Sequence, residues 1–347
     1  MSYLHTKRNI EKNKISPVYL LTGTEAFLID DITHSVVNQT LKEAERDFNL
    51  SVFEMKETPV DMAIEDAQTL PFLGEKRVVI VKEAYFLTGQ RDEAKIEHNV
   101  KALEEYVQNP ASETVLIITA PYEKLDERKK ITKALKSNAE IVDSKEFDEK
   151  MTLEWLTAQA HEFGADITEK GKETLIQLQS GNLLMIANEV KKLALYVGEG
   201  GTIDEDIVHL LVARTIEQDI FSMIDHVIHR RIEKGLDIFF DLLRQKEDPL
   251  KVVALLARQF RILYMVSEMS KQGYSQKQMA SQLKLHPYVV KLVGQQAKKF
   301  NERQLLLWLD GLATVDFQIK TGQMDKKLAV ELFLMKMNPQ ENAVSKA

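Results

Sequence analysis

The sequence predicts a parallel α/β domain followed by an all-α remainder, and three observations carry that expectation. Up to residue 145, short β-branched runs alternate with stretches of helical spacing. From Thr152 onward the strand signals cease and only helical periods remain. The length agrees, because 347 residues that are 44% hydrophobic fill two or three units at roughly 100–200 residues each.

The β-branched runs lie at 17–21 (PVYLL), 49–53 (NLSVF), 77–81 (RVVIV), 114–119 (TVLIIT) and 140–142. Helical spacing fills 26–45, 59–70, 93–108 and 128–136 between them. Strands separated by helices of this length need right-handed crossovers, which makes the sheet parallel and covers both of its faces. The expectation is an open α/β domain of five strands over 1–146.

Beyond it, periods at 152–163, 168–178, 183–197 and 203–212 read as short helices. Thr168 and Asp204 stand as N-caps, and Gly164, Gly181 and Gly198 as terminators. They make a small helical domain over 147–214. Longer helices follow at 220–231, 232–243, 249–272, 275–283, 287–299, 302–321 and 326–337. Pro249 and Pro287 occupy first-turn positions, and Gly273 and Gly322 sit at helix ends. The third domain, 215–347, is therefore a helical bundle.

Charge divides along the same line. The whole chain carries 46 Lys+Arg against 53 Asp+Glu, net −7. Residues 1–214 hold 26 and 38, net −12, whereas 215–347 hold 20 and 15, net +5, a value compatible with a solvated helical surface. The absence of cysteine excludes disulfides, Cys-ligated metal sites and thiol nucleophiles. The opening residues, MSYLHTKRNIEKNK, are polar, and the apolar run 18–21 is too short for a signal segment or a span, so a cytoplasmic location is expected.

An α/β domain with a small helical partner raises the question of nucleotide binding. The first strand runs into Thr22-Gly23-Thr24-Glu25-Ala26-Phe27-Leu28-Ile29. A P-loop counted from Gly23 would place its second Gly and its Lys at 28 and 29, where Leu28 and Ile29 stand. There is no lysine for the β/γ-phosphates, and Glu25 would repel them. A Walker B strand ends in Asp-Glu, whereas Val78-Val79-Ile80-Val81 ends in Lys82-Glu83, with a cation at the Mg²⁺-orienting position. Two eroded motifs at the expected strand ends indicate a nucleotide-binding scaffold that does not hydrolyse nucleotide.

Other chemistry is sparse. His226 and His229 share a helix face and could ligate a metal, but no H-E-x-x-H pattern accompanies them, and ordinary surface or core histidines explain them better. Asp30-Asp31 and Asp204-Glu205-Asp206 read as acids in helix first turns. No nucleophile elbow, dinucleotide fingerprint or kinase set is present. Catalytic residues, metal and cofactor are all expected to be absent.

Two segments are not explained by packing alone. In Gln68-Thr69-Leu70-Pro71-Phe72-Leu73-Gly74, Pro71 ends a helix and Gly74 frees a turn, leaving Phe72 and Leu73 at a loop tip. Such side chains either fold back over the sheet edge or protrude to anchor a partner. The second segment, 274–291, has the punctuation of a helix-turn-helix, which would carry Tyr288 and Lys291 into a DNA groove. Leu292, Val293, Ala297 and Phe300 keep its second helix amphipathic, as a bundle helix would be.

PVYLLTGTEAFLIDD (17–31), QTLPFLGEKRVVIV (68–81), SGNLLMIANEVKKLALY (180–196), LKLHPYVVKLVGQQAKKF (283–300) and DFQIKTGQMDKKLAVELFL (316–334) together resemble the delta subunit of the bacterial DNA polymerase III clamp loader, in its Gram-positive form. The last two stretches are the most specific. The resemblance implies an AAA+-like α/β domain with a degenerate P-loop, a small helical lid and a helical collar. It implies a non-catalytic subunit of a DNA-directed DNA polymerase holoenzyme, a nucleotidyltransferase complex. Such a subunit binds the sliding clamp, the beta subunit, and opens its ring for loading on primed DNA during replication. ATP is handled by the partner tau/gamma subunits, and the collar joins these and delta-prime. Primer-template DNA would be touched only weakly or within the complex.

The family's clamp contact, a Gln-containing hexapeptide ending in two large hydrophobes, falls on Gln68, Leu70, Phe72 and Leu73. The Phe-Leu order differs from the more familiar Leu-Phe ending. Two other classes stay in view: a helix-turn-helix DNA-binding regulator with a ligand-sensing α/β domain, which would bind duplex in a salt-sensitive manner, and an active AAA+ ATPase, against which residues 28, 29 and 82 speak.

Overall fold

The five β-branched runs form the five strands of one sheet: β1 (Val18–Thr22), β2 (Leu50–Glu54), β3 (Arg77–Lys82), β4 (Thr114–Ala120) and β5 (Glu140–Asp143). Each differs from its expected range by one residue or less at either end. The strand order is β2-β3-β4-β1-β5 and every pairing is parallel. Val18, Leu20, Val79, Val81, Leu116 and Ile118 are fully buried, as strands covered on both faces require. The computed structural model describes residues 3–89, 96–145, 147–179 and 181–337. Two compact units divide the chain, Met1–Phe147 and Asp148–Ala347.

The helices of the first unit are α1 (Tyr3–Glu11), α2 (Ala26–Thr40), α3 (Arg46–Asn49), α4 (Val60–Ala67), α5 (Val100–Gln108) and α6 (Lys130–Asn138). α1 was not expected, because the stretch is polar overall. Its buried face consists of only Tyr3, Thr6 and Ile10, spaced three and four apart. Tyr3 and Lys7 both bind the Asp31 carboxylate, so Asp31, in the second turn of α2, is an anchor for α1 and not a first-turn acid. The continuous helix expected over 26–45 stops at Thr40. Leu41 turns extended and is buried, and the Lys42 N–H donates to Glu45 Oε2 at 3.0 Å to begin a short 3₁₀ turn. Residues 93–95 of the helix expected over 93–108 lie outside the described residues, and helix begins at Val100, capped by Asn99.

The second unit opens with α7 (Glu149–Glu162), α8 (Glu169–Leu178), α9 (Leu183–Val197) and α10 (Glu205–Leu211). Thr168 accepts from the Gly171 N–H and Asp204 from the Ile207 N–H, as caps should. Strand signals do not cease altogether here. Asp166–Ile167 and Thr202–Ile203 form β6 and β7, a parallel two-residue pair, too short to leave a period in the sequence. α11 (Ile216–Ile228), α12 (Ile232–Arg244), α13 (Pro249–Lys271), α14 (Gln276–Leu283), α15 (Pro287–Ala297), α16 (Glu302–Lys320) and α17 (Lys326–Lys336) follow. They share one core, with Phe239, Leu256, Phe260 and Leu305 fully buried. Among the described residues no helix is long and apolar enough to cross a membrane.

Candidate protein-docking site

The loop between α4 and β3 is built by constraints at both ends. α4 stops at Ala67, whose carbonyl accepts from Thr114 Oγ1 at 2.8 Å, and Gln68 is the C-cap. At the far end Arg77, buried at the start of β3, places Nη1 2.6 Å from Asp66 of α4. Between these fixed points the chain turns outward at Pro71. Leu70, Phe72 and Leu73 are 73%, 56% and 79% exposed, so they do not fold back over the sheet edge. Gln68 is exposed beside them.

The tip is nevertheless ordered. Phe72 N–H donates to Asn49 Oδ1 at 2.7 Å, and Asn49 Nδ2 donates to the Phe72 carbonyl, also at 2.7 Å. Asn49 is fully buried at the end of α3. The Phe48 ring lies 5.4 Å from that of Phe72 and is itself largely exposed. Leu73 adopts a left-handed φ of 52°, which is unfavourable for a non-glycine residue. Sequence reading missed Phe48 and Asn49. An aromatic just ahead of the second β-branched run at 49–53 was a signal available for Phe48, whereas Asn49 had none.

The nucleotide-like features are closed. Gly23 has φ 108°, and a Cβ there would fall inside the Ser144 carbonyl. The Glu25 N–H donates to that same carbonyl at 3.0 Å. Leu28 and Ile29 are buried core residues of α2. A turn whose amide is already bonded and whose Lys position is packed inside does not fit a phosphate cradle. At the end of β3, Lys82 pairs with Glu54 at 3.3 Å and Glu83 pairs with Lys56. These four side chains pair with one another across the ends of β2 and β3, so each of the two carboxylates already faces a lysine.

His229 donates through Nδ1 to the Asp225 carbonyl at 2.7 Å and faces Lys299 Nζ at 3.1 Å. Burial, reinforced by Arg231, lowers the pKa of His226. Among the described residues no group of three or more His, Asp or Glu could hold a metal ion. The helix-turn-helix punctuation belongs to the bundle. Val290, Val293 and Ala297 of α15 are buried in its core, Val289 packs on it, and Lys291 Nζ lies 5.9 Å from the Tyr288 ring centroid.

A family model described as "DNA polymerase III, delta subunit" matches residues 19–145, one described as "DNA polymerase III delta subunit, C-terminal domain" matches 217–337, and one described as "middle domain" matches 148–210. DNA polymerase III subunit delta of Bacillus subtilis (strain 168) is 46% identical over 331 residues, covering 95% of each chain. The chain belongs to the DNA polymerase III subunit delta family. The solved structure of the Bacillus subtilis DNA clamp loader delta protein has a TM-score of 0.81 and 44% identity, covering 96% of this chain and 99% of that one. A probable DNA polymerase III subunit delta from Aquifex aeolicus (strain VF5) is 24% identical over 260 residues, covering 74% of this chain and 72% of its own length. The alternative of a DNA-binding regulator finds no support in these relatives or in the buried face of α15.

Proposed function

We propose that this chain is the clamp-binding subunit of a DNA polymerase III clamp loader, and that it docks on the sliding clamp through Leu70, Phe72 and Leu73 with Gln68 at the rim. One observation carries the reading. Three large apolar side chains protrude together from a loop that is hydrogen-bonded into place. Exposed, clustered hydrophobes on a rigid support are what a hot spot requires. The subunit contributes no ATP hydrolysis of its own. The closed turn at Gly23 and the ion pairs at Lys82 and Glu83 support this, and partner tau/gamma subunits supply the nucleotide cycle. The helices of 215–347 form the collar that joins tau/gamma and delta-prime, 147–214 serves as the lid, and the assembly works in the cytoplasm on primer-template DNA.

The test is a pull-down and affinity measurement with purified sliding clamp. Phe72→Ala combined with Leu73→Ala is expected to weaken clamp binding at least a hundredfold, since hot-spot anchors contribute on the order of 2 kcal/mol each. The fold should be unchanged, because both side chains are already exposed. Normal clamp binding by the double variant would exclude the assignment.

A further inference from the structure

Asn49 is a fully buried amide whose bonds run to the backbone of one residue on an exposed loop 23 positions away. Its two hydrogen bonds to Phe72 act like one rung of a sheet ladder, fixing the backbone of Phe72 on both sides. Gly74 lies against the same amide, where a Cβ would stand 3.1 Å from Asn49 Nδ2. Phe48, next to Asn49, holds the Phe72 ring at 5.4 Å. The Arg77–Asp66 pair closes the loop from its other end. The loop is thus held with its apolar tip turned out and with Leu73 in a left-handed conformation. A loop under no demand but stability would bury its hydrophobes and relax that backbone.

We infer that Asn49 is a positioning residue that presets the Phe72–Leu73 tip for docking, so that little loop ordering is left to be done when the partner binds. The inference rests on the clamp-docking reading above. Asn49 touches no partner itself and acts entirely through the backbone of Phe72.

The test uses the full-length chain and purified sliding clamp, with affinity, amide hydrogen exchange over 70–74 and thermal melting measured on each variant. Asn49→Ala is expected to bind roughly tenfold or more weakly and to exchange the Phe72 amide faster. Asn49→Asp should behave similarly, because it turns a donor facing the Phe72 carbonyl into an acceptor. Asn49 acts by presenting the Phe72 and Leu73 side chains, so in a chain already carrying Phe72→Ala and Leu73→Ala, where neither anchor is left to present, Asn49→Ala should lose at most about twofold further. An equal loss in both backgrounds, or wild-type affinity despite a loosened loop, would overturn the inference. Should Asn49→Ala fail to fold, Gly74→Ala carries the test, since it nudges the amide from outside. A loss of about threefold is expected from that small displacement, and unchanged affinity with faster loop exchange counts against the inference. Normal binding by Phe72→Ala with Leu73→Ala would sink the docking reading itself, whereas loss there with normal binding by the Asn49 variants sinks only the positioning role.

Discussion

Gly23 decides the character of the turn after β1. Its φ of 108° is open only to glycine, and the space where a side chain would begin is filled by Ser144, whose carbonyl also receives the Glu25 N–H. Gly23→Ala therefore meets both backbone strain and a clash with main chain. It should cost about 2 kcal/mol or more, seen as a lower urea midpoint at unchanged slope, and an unaltered midpoint would contradict the account. The burial of Leu28 and Ile29 in α2 was legible in the sequence, because both are apolar at positions where a phosphate loop would carry Gly and Lys. Pro71 and Gly74 placed Phe72 and Leu73 at a loop tip but left open whether they fold back or protrude, and only the resemblance to the family favoured the exposure the structure shows. Asn49 was not legible. Its partners are main-chain atoms, which no side-chain pattern encodes, and the pairing exists only once β2 and β3 lie side by side.

At the level of elements, β1 to β5 were readable because parallel strands buried on two faces are continuous apolar runs. α1 and the β6–β7 pair were hidden, the first by its narrow buried stripe and the second by its two-residue strands. The same level holds a pH-sensitive cap. His286 is the N-cap of α15, accepting the Tyr288 N–H at Nδ1 at 3.2 Å, and its ring packs against Gly181, which has φ 75°. Ser180, the neighbour of Gly181, lies outside the described residues. Burial lowers the pKa of His286 below its ordinary 6.5. The unfolded chain then takes up a proton before the folded one does, so stability is fully present above pH 6.5 and falls as the pH drops towards the folded pKa. Below the folded pKa the loss levels off. Protonation at Nδ1 would also remove the acceptor that caps α15. His226 is displaced in the same direction, so the two slopes add. His286→Asn keeps a capping acceptor and removes one titration. The fall in melting temperature between about pH 7.5 and pH 5.5 should be smaller in that variant than in the wild type. An identical fall would show that His286 does not contribute.

Over the whole molecule, the residues that build the docking loop belong to one unit. Asn49, Asp66, Phe72, Leu73 and Arg77 all lie within Met1–Phe147, and that unit has its own core from Val18 through Leu135. The basic excess lies elsewhere, in 215–347, so electrostatic attraction to an acidic partner is not what the docking unit offers. Its affinity has to come from apolar burial on a preset loop, which salt affects little. A fragment of residues 1–147 should therefore melt cooperatively. It should bind the sliding clamp within about tenfold of the full chain, because no hot-spot anchor is lost, and its affinity should change little between low and moderate salt. The same fragment carrying Phe72→Ala and Leu73→Ala should not bind. Measuring both fragments by melting and by clamp titration at two ionic strengths separates the possibilities. A folded 1–147 fragment that fails to bind would mean that groups from 148–347 take part in docking, and a steep salt dependence would mean that charge, not the apolar tip, drives it.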